Sequence, residues 1–77
     1  MVGIRVRLTY PDSLVKEPII AKMIKKFDVV PNIRTAQVVG DTGFVVLELD
    51  GLSSELDLAI AWFKELGIQV DVIGAEV

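Results

Sequence analysis

The sequence predicts an α+β fold in which four antiparallel strands form one sheet and two helices cover one of its faces. Runs with strand-like and helix-like patterns follow one another in the order strand–helix–strand–strand–helix–strand. The two halves of the chain also share the same strand–helix–strand order. With 77 residues, the chain has room for one hydrophobic core and no more. We therefore expect a single domain over residues 1–77.

Clear periodicities mark the first strand and the first helix. Residues 3–10 alternate between an apolar face and a face that carries two arginines, which is typical of a half-buried strand. Pro11-Asp12-Ser13 then provides turn chemistry. Apolar residues at helical spacing predict a helix over residues 18–27, with Pro18 at the first position, where its missing N–H costs nothing.

The second strand is less regular than the first. Residues 29–39 are rich in β-branched side chains, but neither face is purely apolar. Pro31 near its start and the failed alternation indicate an edge strand or a bulge rather than a central strand. A turn at Gly40-Asp41-Thr42-Gly43 leads into a third strand over residues 44–50, which alternates cleanly.

The second helix and the last strand complete the pattern. Ser53 or Ser54 is expected to cap the helix, and Gly67 is expected to end it. The predicted buried stripe of this helix consists of Leu56, Ala59, Ile60, Phe63 and Leu66. Residues 68–72 alternate as a short final strand. Two such halves fold as a split βαβ, or ferredoxin-like βαββαβ sandwich, whose right-handed crossovers place strands 1 and 3 in the centre.

Composition excludes several kinds of chemistry. The chain has no cysteine and no histidine, which removes disulfides, thiolate metal sites, protein-ligated iron–sulfur clusters and the usual general base. No apolar run reaches the roughly 18 residues that a transmembrane helix needs. We expect a cytoplasmic protein that has no cofactor and does not insert into the membrane.

Charge is unevenly distributed along the chain. Residues 1–40 carry seven basic and three acidic side chains, whereas residues 41–77 carry one basic and eight acidic ones. In the predicted topology Arg5 and Arg7 lie beside Glu48 and Asp50 on the open face of the sheet, which favours cross-strand ion pairs. These acids would cancel the basic surface that phosphate binding requires, so we expect no nucleic-acid partner. We likewise interpret the two carboxylates as ion-pair partners and predict that the protein is not an enzyme.

Two features have more than one interpretation. Asn32 lies inside an edge strand, where asparagine is disfavoured; a local side-chain hydrogen bond that shapes a bulge is slightly favoured over a ligand-binding role. Leu58 and Trp62 form an apolar stripe beside the main stripe of the second helix, as either the rim of the core or a contact surface. Together with an unpaired sheet edge, these features indicate a homodimer.

Several short motifs in order resemble the NIL domain family over nearly the whole chain. They are Arg7-Leu8-Thr9-Tyr10-Pro11, Glu17-Pro18-Ile19-Ile20, Phe27-Asp28-Val29-Val30-Pro31-Asn32-Ile33, Ala36-Gln37-Val38, Leu47-Glu48-Leu49-Asp50-Gly51 and Ala59-Ile60-Ala61-Trp62. The family is named for an Asn-Ile-Leu motif, which here reads Asn32-Ile33-Arg34. The connection between strands 2 and 3 is shorter than in transporter members and has Gly43-Phe44 in place of Phe-Gly, which favours the ferredoxin-fused or free-standing branch.

The resemblance implies a ferredoxin-like fold and a regulatory role. In this family the domain forms the carboxy-terminal part of methionine ABC transporter ATPases, where it binds L-methionine across a paired-domain interface and inhibits transport. It also occurs fused to ferredoxin-type modules, or alone. The family's ligand-associated asparagine matches Asn32, so Asn32 and Ile33 are the expected ligand-binding residues. The candidate interface residues are Pro31, Arg34, Leu58 and Trp62.

Two hypotheses follow for the function. The first is a non-catalytic regulatory module that dimerises, binds L-methionine or a related small amino acid, and couples this binding to an attached or associated protein. An ABC transporter ATPase and a ferredoxin-type protein are the two candidate partners. The alternative is a protein-interaction or structural domain that serves a ferredoxin-type iron–sulfur protein and has no small ligand.

Overall fold

The structure is a computed structural model and describes residues 2–40 and 42–76. Its elements in chain order are β1 (Val2–Tyr10), a 3₁₀ turn (Asp12–Leu14), α1 (Ile19–Lys26), β2 (Val29–Val39), β3 (Thr42–Gly51), α2 (Ser53–Glu65) and β4 (Gln69–Glu76). The strands form one antiparallel sheet in the order β2-β3-β1-β4. This arrangement confirms the predicted ferredoxin-like topology, with β1 and β3 in the centre.

The hydrophobic core lies between the sheet and the two helices. The alternation predicted for β1 and β3 is confirmed, because Val6, Leu8, Leu47 and Leu49 are buried on the inward face, and the other predicted inward residues are partly buried: Ile4, Tyr10 and Val45. Of the predicted α2 stripe, Leu56, Ala59 and Phe63 are buried, whereas Ile60 is partly buried and Leu66 is exposed. The largest fully buried side chains are Val6, Leu8, Met23, Leu47, Leu49 and Phe63.

Both helices begin at positions other than those predicted. Pro18 is not the first residue of α1 but the residue before it, since its ψ of 64° is not helical. α2 begins at Ser53 with Leu52 as its N-cap, so the expectation that Ser53 or Ser54 caps the helix was wrong. Because β3 continues to Gly51, a single residue separates it from α2, and both serines lie within the helix. Glu55 in the first turn accepts a hydrogen bond of 2.9 Å from the Asp28 backbone N–H.

Glycines permit the close approaches and turns of this small fold. At Gly51, a Cβ would stand 2.9 Å from the carbonyl oxygen of Asp28, in the joint between α1 and β2. Gly67 has a φ of +90° and ends α2 as predicted, while Gly40 has a φ of +61° after β2. Asp41, which the sequence assigns to the same turn, lies outside the described residues.

Bulges occur where the two edge strands meet the central pair. In β2, Ile33 is opposite Leu47 and Thr35 is opposite Val46, so Arg34 is an extra residue without a Cα partner on β3. The edge position and the irregularity predicted for this strand are both confirmed. Between β1 and β4 the register shifts at Arg5 and Val6.

Candidate functional site

The candidate site lies on the edge strand β2. β3 pairs with one side of β2, and the other side has no strand partner among the described residues. Beyond Val29, which is buried, apolar side chains project from the strand into solvent. Val30, Ile33, Val38 and Val39 are each between 54% and 63% exposed.

The register with β3 determines which face each side chain of β2 occupies, because opposed residues of an antiparallel pair lie on the same face. Asn32 is opposite Glu48, on the open face of the sheet. Ile33 is opposite Leu47, whose side chain lies in the core. The two predicted ligand-binding residues therefore point to opposite faces, and a ligand that contacts both must lie across the free edge.

The side chain of Asn32 is available for a ligand. It is exposed and makes no hydrogen bond with any other described residue. The bulge predicted near this side chain is present, but the extra residue is Arg34 and the amide does not stabilise it. The local hydrogen bond that the sequence favoured is thus absent among the described residues, and within them Asn32 occupies a disfavoured strand position without a structural partner.

Glu48, directly opposite Asn32, is the centre of an ion-pair cluster on the open face. Arg34 donates to its Oε1 from Nε at 3.0 Å and from Nη2 at 2.9 Å. Arg5 of β1, which is opposite Glu48, donates to the same oxygen. Hydrogen bonds from Arg5 and then from Arg34 lower the pKa of Glu48 below its ordinary value. The carboxylate is therefore ionised at neutral pH.

The sequence predicted part of this cluster. The cross-strand pair between Arg5 and Glu48 is confirmed. The second cation, Arg34, was expected only as an interface residue. Arg34 and Asn32 both have even numbers in β2, and alternate residues of a strand lie on the same face. This was the available sequence signal that the two residues lie together.

Among the described residues, Arg7 has no acidic partner of the kind that the charge pattern predicted. Its guanidinium carbon lies 4.4 Å from the centroid of the Phe44 ring. This is a cation–π contact on the open face, and it covers the aromatic side chain that the sequence places there.

Leu58 and Trp62, predicted to form one stripe, have different environments. Trp62 is half-buried, with its ring edge-on to that of Phe27 at a centroid distance of 5.9 Å and tilted against that of Phe63 at 5.4 Å. Leu58 is 53% exposed. Trp62 therefore belongs to the rim of the core, while Leu58 is a surface residue.

No group of three or more metal-ligating side chains is found within residues 2–40 and 42–76. Within the same residues, neither helix has the length and apolar character needed to cross a membrane.

Comparison with known proteins gives three kinds of similarity. A family model described as the NIL domain matches residues 4–72. The chain is 31% identical over 58 residues to the Methionine import ATP-binding protein MetN of Helicobacter hepaticus (strain ATCC 51449 / 3B1), an alignment that covers 70% of this chain and 16% of that protein. The chain thus spans only a small part of this relative.

Solved structures extend the comparison to the fold. The C-terminal domain of an ABC transporter/ATP-binding protein from Enterococcus faecalis superimposes with a TM-score of 0.80 and 26% identity, covering 94% of this chain and 84% of that one. The de novo designed protein Foldit4 has a TM-score of 0.57 and 12% identity, covering 92% and 91% of the two chains, and shows the fold alone. The two natural relatives are transporter proteins, whereas the short turn between β2 and β3 favoured the ferredoxin-associated or free-standing branch.

Proposed function

Because the chain belongs to the NIL domain family, we propose that it is a non-catalytic regulatory module that binds L-methionine or a related small amino acid at a homodimer interface. The observation that carries this proposal is the side chain of Asn32. It lies on a free sheet edge, is exposed, and has no hydrogen-bond partner among the described residues. An amide both donates and accepts hydrogen bonds, so it suits the polar end of an amino acid.

The named relatives support an ABC transporter ATP-binding protein as the partner of this module. One is described as a methionine import ATP-binding protein, and the other is the C-terminal domain of an ABC transporter ATP-binding protein. By this proposal the chain senses the amino acid and communicates its binding to an attached or associated ATPase.

The free edge of β2 supports dimerisation with a second copy. Ile33 and Val38 lie on the helix-covered face of β2 and Val30 on the open face, and all three are more than half exposed. α1, which packs against β2, leaves Ile24 half-exposed as well. A second β2 strand added along this edge would satisfy its unpaired backbone groups and cover apolar side chains on both faces.

Charge along β2 is compatible with self-association. Arg34 is its one ionisable residue, and the guanidinium is already bound to Glu48 of the same copy. Two copies of β2 therefore meet without opposing uncompensated charges. Pro31 has no N–H to offer, which favours pairing through the other half of the strand, over residues 33–39.

Regulation follows if the ligand lies between the paired edges. An amino acid that contacts Asn32 on one face and Ile33 across the edge binds better to the paired arrangement than to the separated one. Such differential affinity shifts the equilibrium between the two arrangements.

Titration calorimetry with L-methionine tests the ligand. We expect saturable heat with the wild type, its loss in Asn32→Ala, and its retention in Gln37→Ala, an amide on the same strand and face opposite Phe44. No heat and no thermal shift at millimolar L-methionine would rule out the methionine site. The alternative of an interaction domain for a ferredoxin-type protein would then be favoured.

Sedimentation of substituted edges tests the dimer. Val38→Lys places a charge on the free edge of β2, whereas Val72→Lys places one on the other edge strand, β4, at a residue of similar exposure. We expect only Val38→Lys to shift the protein toward monomer. A wild type that remains monomeric at high concentration contradicts the proposal.

A further inference from the structure

We propose that Glu48 and Arg34 recognise the charged main-chain groups of a free α-amino acid, with Asn32 between them. This inference rests on the proposed function and adds the chemistry of recognition: Glu48 accepts from the ligand's ammonium group, and Arg34 donates to its carboxylate. The site would therefore select a zwitterionic amino acid over one whose amino or carboxyl group is blocked.

The three side chains lie together on the open face. Asn32 and Glu48 are opposed residues of the β2–β3 pair, which places their Cβ atoms about 5 Å apart. Arg34 reaches the same carboxylate at 2.9 Å from the bulge, two residues along the chain from Asn32. An anion, a cation and an amide thus converge within the span of a small ligand.

Two arginines donate to the same oxygen of Glu48 in this cluster. Arg5 is the partner of Glu48 in the ladder and already forms an ion pair with it. Arg34 adds a second guanidinium to the same carboxylate oxygen. Arg34 is therefore placed to bind a ligand carboxylate, because planar guanidinium groups suit carboxylates, with which they can form two parallel N–H bonds.

The hydrogen-bonding capacity of the two residues is not exhausted by their mutual contacts. The donations described to Glu48 all end on Oε1, whereas a carboxylate offers about four lone-pair sites on its two oxygens. Arg34 uses Nε and Nη2 toward Glu48, and its Nη1 makes no hydrogen bond within the described part of the chain. Both groups can therefore bind each other and a ligand at once.

An apolar side chain lies beside this polar cluster. Val30 is on the same face, two residues before Asn32, and is 61% exposed. It provides a contact for an aliphatic or thioether side chain while the charged groups hold the main-chain end. Arg34 also stands where the family motif has leucine, so this recognition is a property of this chain's own sequence.

The experiment combines three ligands with two substitutions, using the intact 77-residue chain in a calorimeter. Wild-type protein is titrated with L-methionine, N-acetyl-L-methionine and L-methionine amide. We expect the two blocked ligands to bind about ten- to hundredfold more weakly, the range for losing a hydrogen bond to a charged group. Glu48→Gln and Arg34→Leu should weaken L-methionine binding by a similar factor, and Asp71→Asn, a change at an acid on the far edge of the open face, should not.

A thermodynamic cycle that combines Arg34→Leu with a blocked ligand separates recognition of the ligand carboxylate from a structural effect of the substitution. Arg34→Leu should weaken L-methionine but should not further weaken L-methionine amide, because the amide lacks the carboxylate that Arg34 binds. If L-methionine binds the wild type and the blocked ligands bind it with an affinity within twofold of that of L-methionine, the inference is overturned and the proposed function stands. The same conclusion follows if Glu48→Gln and Arg34→Leu both bind L-methionine with an affinity within twofold of that of the wild type. If L-methionine does not bind the wild type, the inference and the proposed function are both overturned. Thermal melts of each variant confirm folding, and the titrations of wild-type protein with the blocked ligands test recognition without any substitution.

Discussion

Replacing Gly51 by alanine tests how the fold brings β3 against the joint between α1 and β2. The added Cβ would stand 2.9 Å from the Asp28 carbonyl oxygen, whereas ordinary contact begins at 3.4 Å. The obstructing atom belongs to the backbone, so it cannot move aside as a flexible side chain would. About 0.5 Å of backbone displacement is needed, at the point where Glu55 also binds the Asp28 N–H.

The magnitude follows from these contacts. Overpacking a closely packed site costs about 1–3 kcal/mol. A hydrogen bond contributes about 1 kcal/mol to stability, and straining the Asp28–Glu55 bond would lose part of that contribution. We therefore expect a loss of about 2 kcal/mol in the free energy of unfolding. For a domain of this size that lowers Tm by about 8–16 °C.

Thermal melts followed by the fluorescence of the single tryptophan, Trp62, provide the assay. The control is Gly74→Ala, where the nearest atom to the new Cβ is the Arg5 Cβ at 3.7 Å, an ordinary contact. This variant should melt near the wild type or slightly above it, because alanine suits a strand better than glycine. If Gly51→Ala and Gly74→Ala have the same Tm, the close approach between residue 51 and the Asp28 carbonyl oxygen is wrong.

Other predictions concern the site, the core rim and pH. Asn32→Ala should change the free energy of unfolding by less than about 0.5 kcal/mol, since its amide has no structural partner, so chemical denaturation would separate its role from folding. The pKa of Glu48 is lowered in the folded state, so this carboxylate stabilises the protein above its unfolded pKa of about 4.3. That contribution is lost as the pH falls through the folded pKa. The Tm difference between the wild type and Glu48→Gln should therefore be present at pH 7 and shrink in acid. Trp62→Ala should destabilise by about 1–3 kcal/mol and Leu58→Ala by less than about 0.5 kcal/mol, in thermal melts followed by circular dichroism because Trp62→Ala has no tryptophan. Equal effects would contradict the assignment of Trp62 to the core rim. Burial raises the pKa of Tyr10, so an absorbance titration of this single tyrosine should give a midpoint above 10.0, and a midpoint at or below that value would be inconsistent with its burial.

Periodicity was sufficient to predict the topology because each central strand buries one face. The alternation in β1 and β3 and the helical spacing around Met23 and Phe63 all point to one core, and the structure buries these residues. The starts of the helices were less predictable. Ser53 has good capping chemistry, but the extension of β3 to Gly51 places this serine inside α2. The pairing of Gly51 with Val2 and Val29, rather than the capping propensity of serine, sets this boundary.

The candidate site was predictable only in part, because the sequence does not determine the register between β2 and β3. Asn32 was conspicuous because asparagine is unusual within a strand. Its relation to Glu48 and Arg34 depends on which residue of β2 is the extra one, and a bulge one residue away would change the pairing. Arg7 shows the same difficulty, since composition favoured an acidic partner and the structure gives it the ring of Phe44.

Sedimentation velocity with and without L-methionine tests most directly the claim that a ligand at Asn32 controls the pairing of β2 edges. We expect methionine to raise the dimer fraction of the wild type, to leave that of Asn32→Ala unchanged, and to act on Gln37→Ala as on the wild type. A dimer fraction of the wild type that stays constant or falls across millimolar L-methionine would contradict this claim.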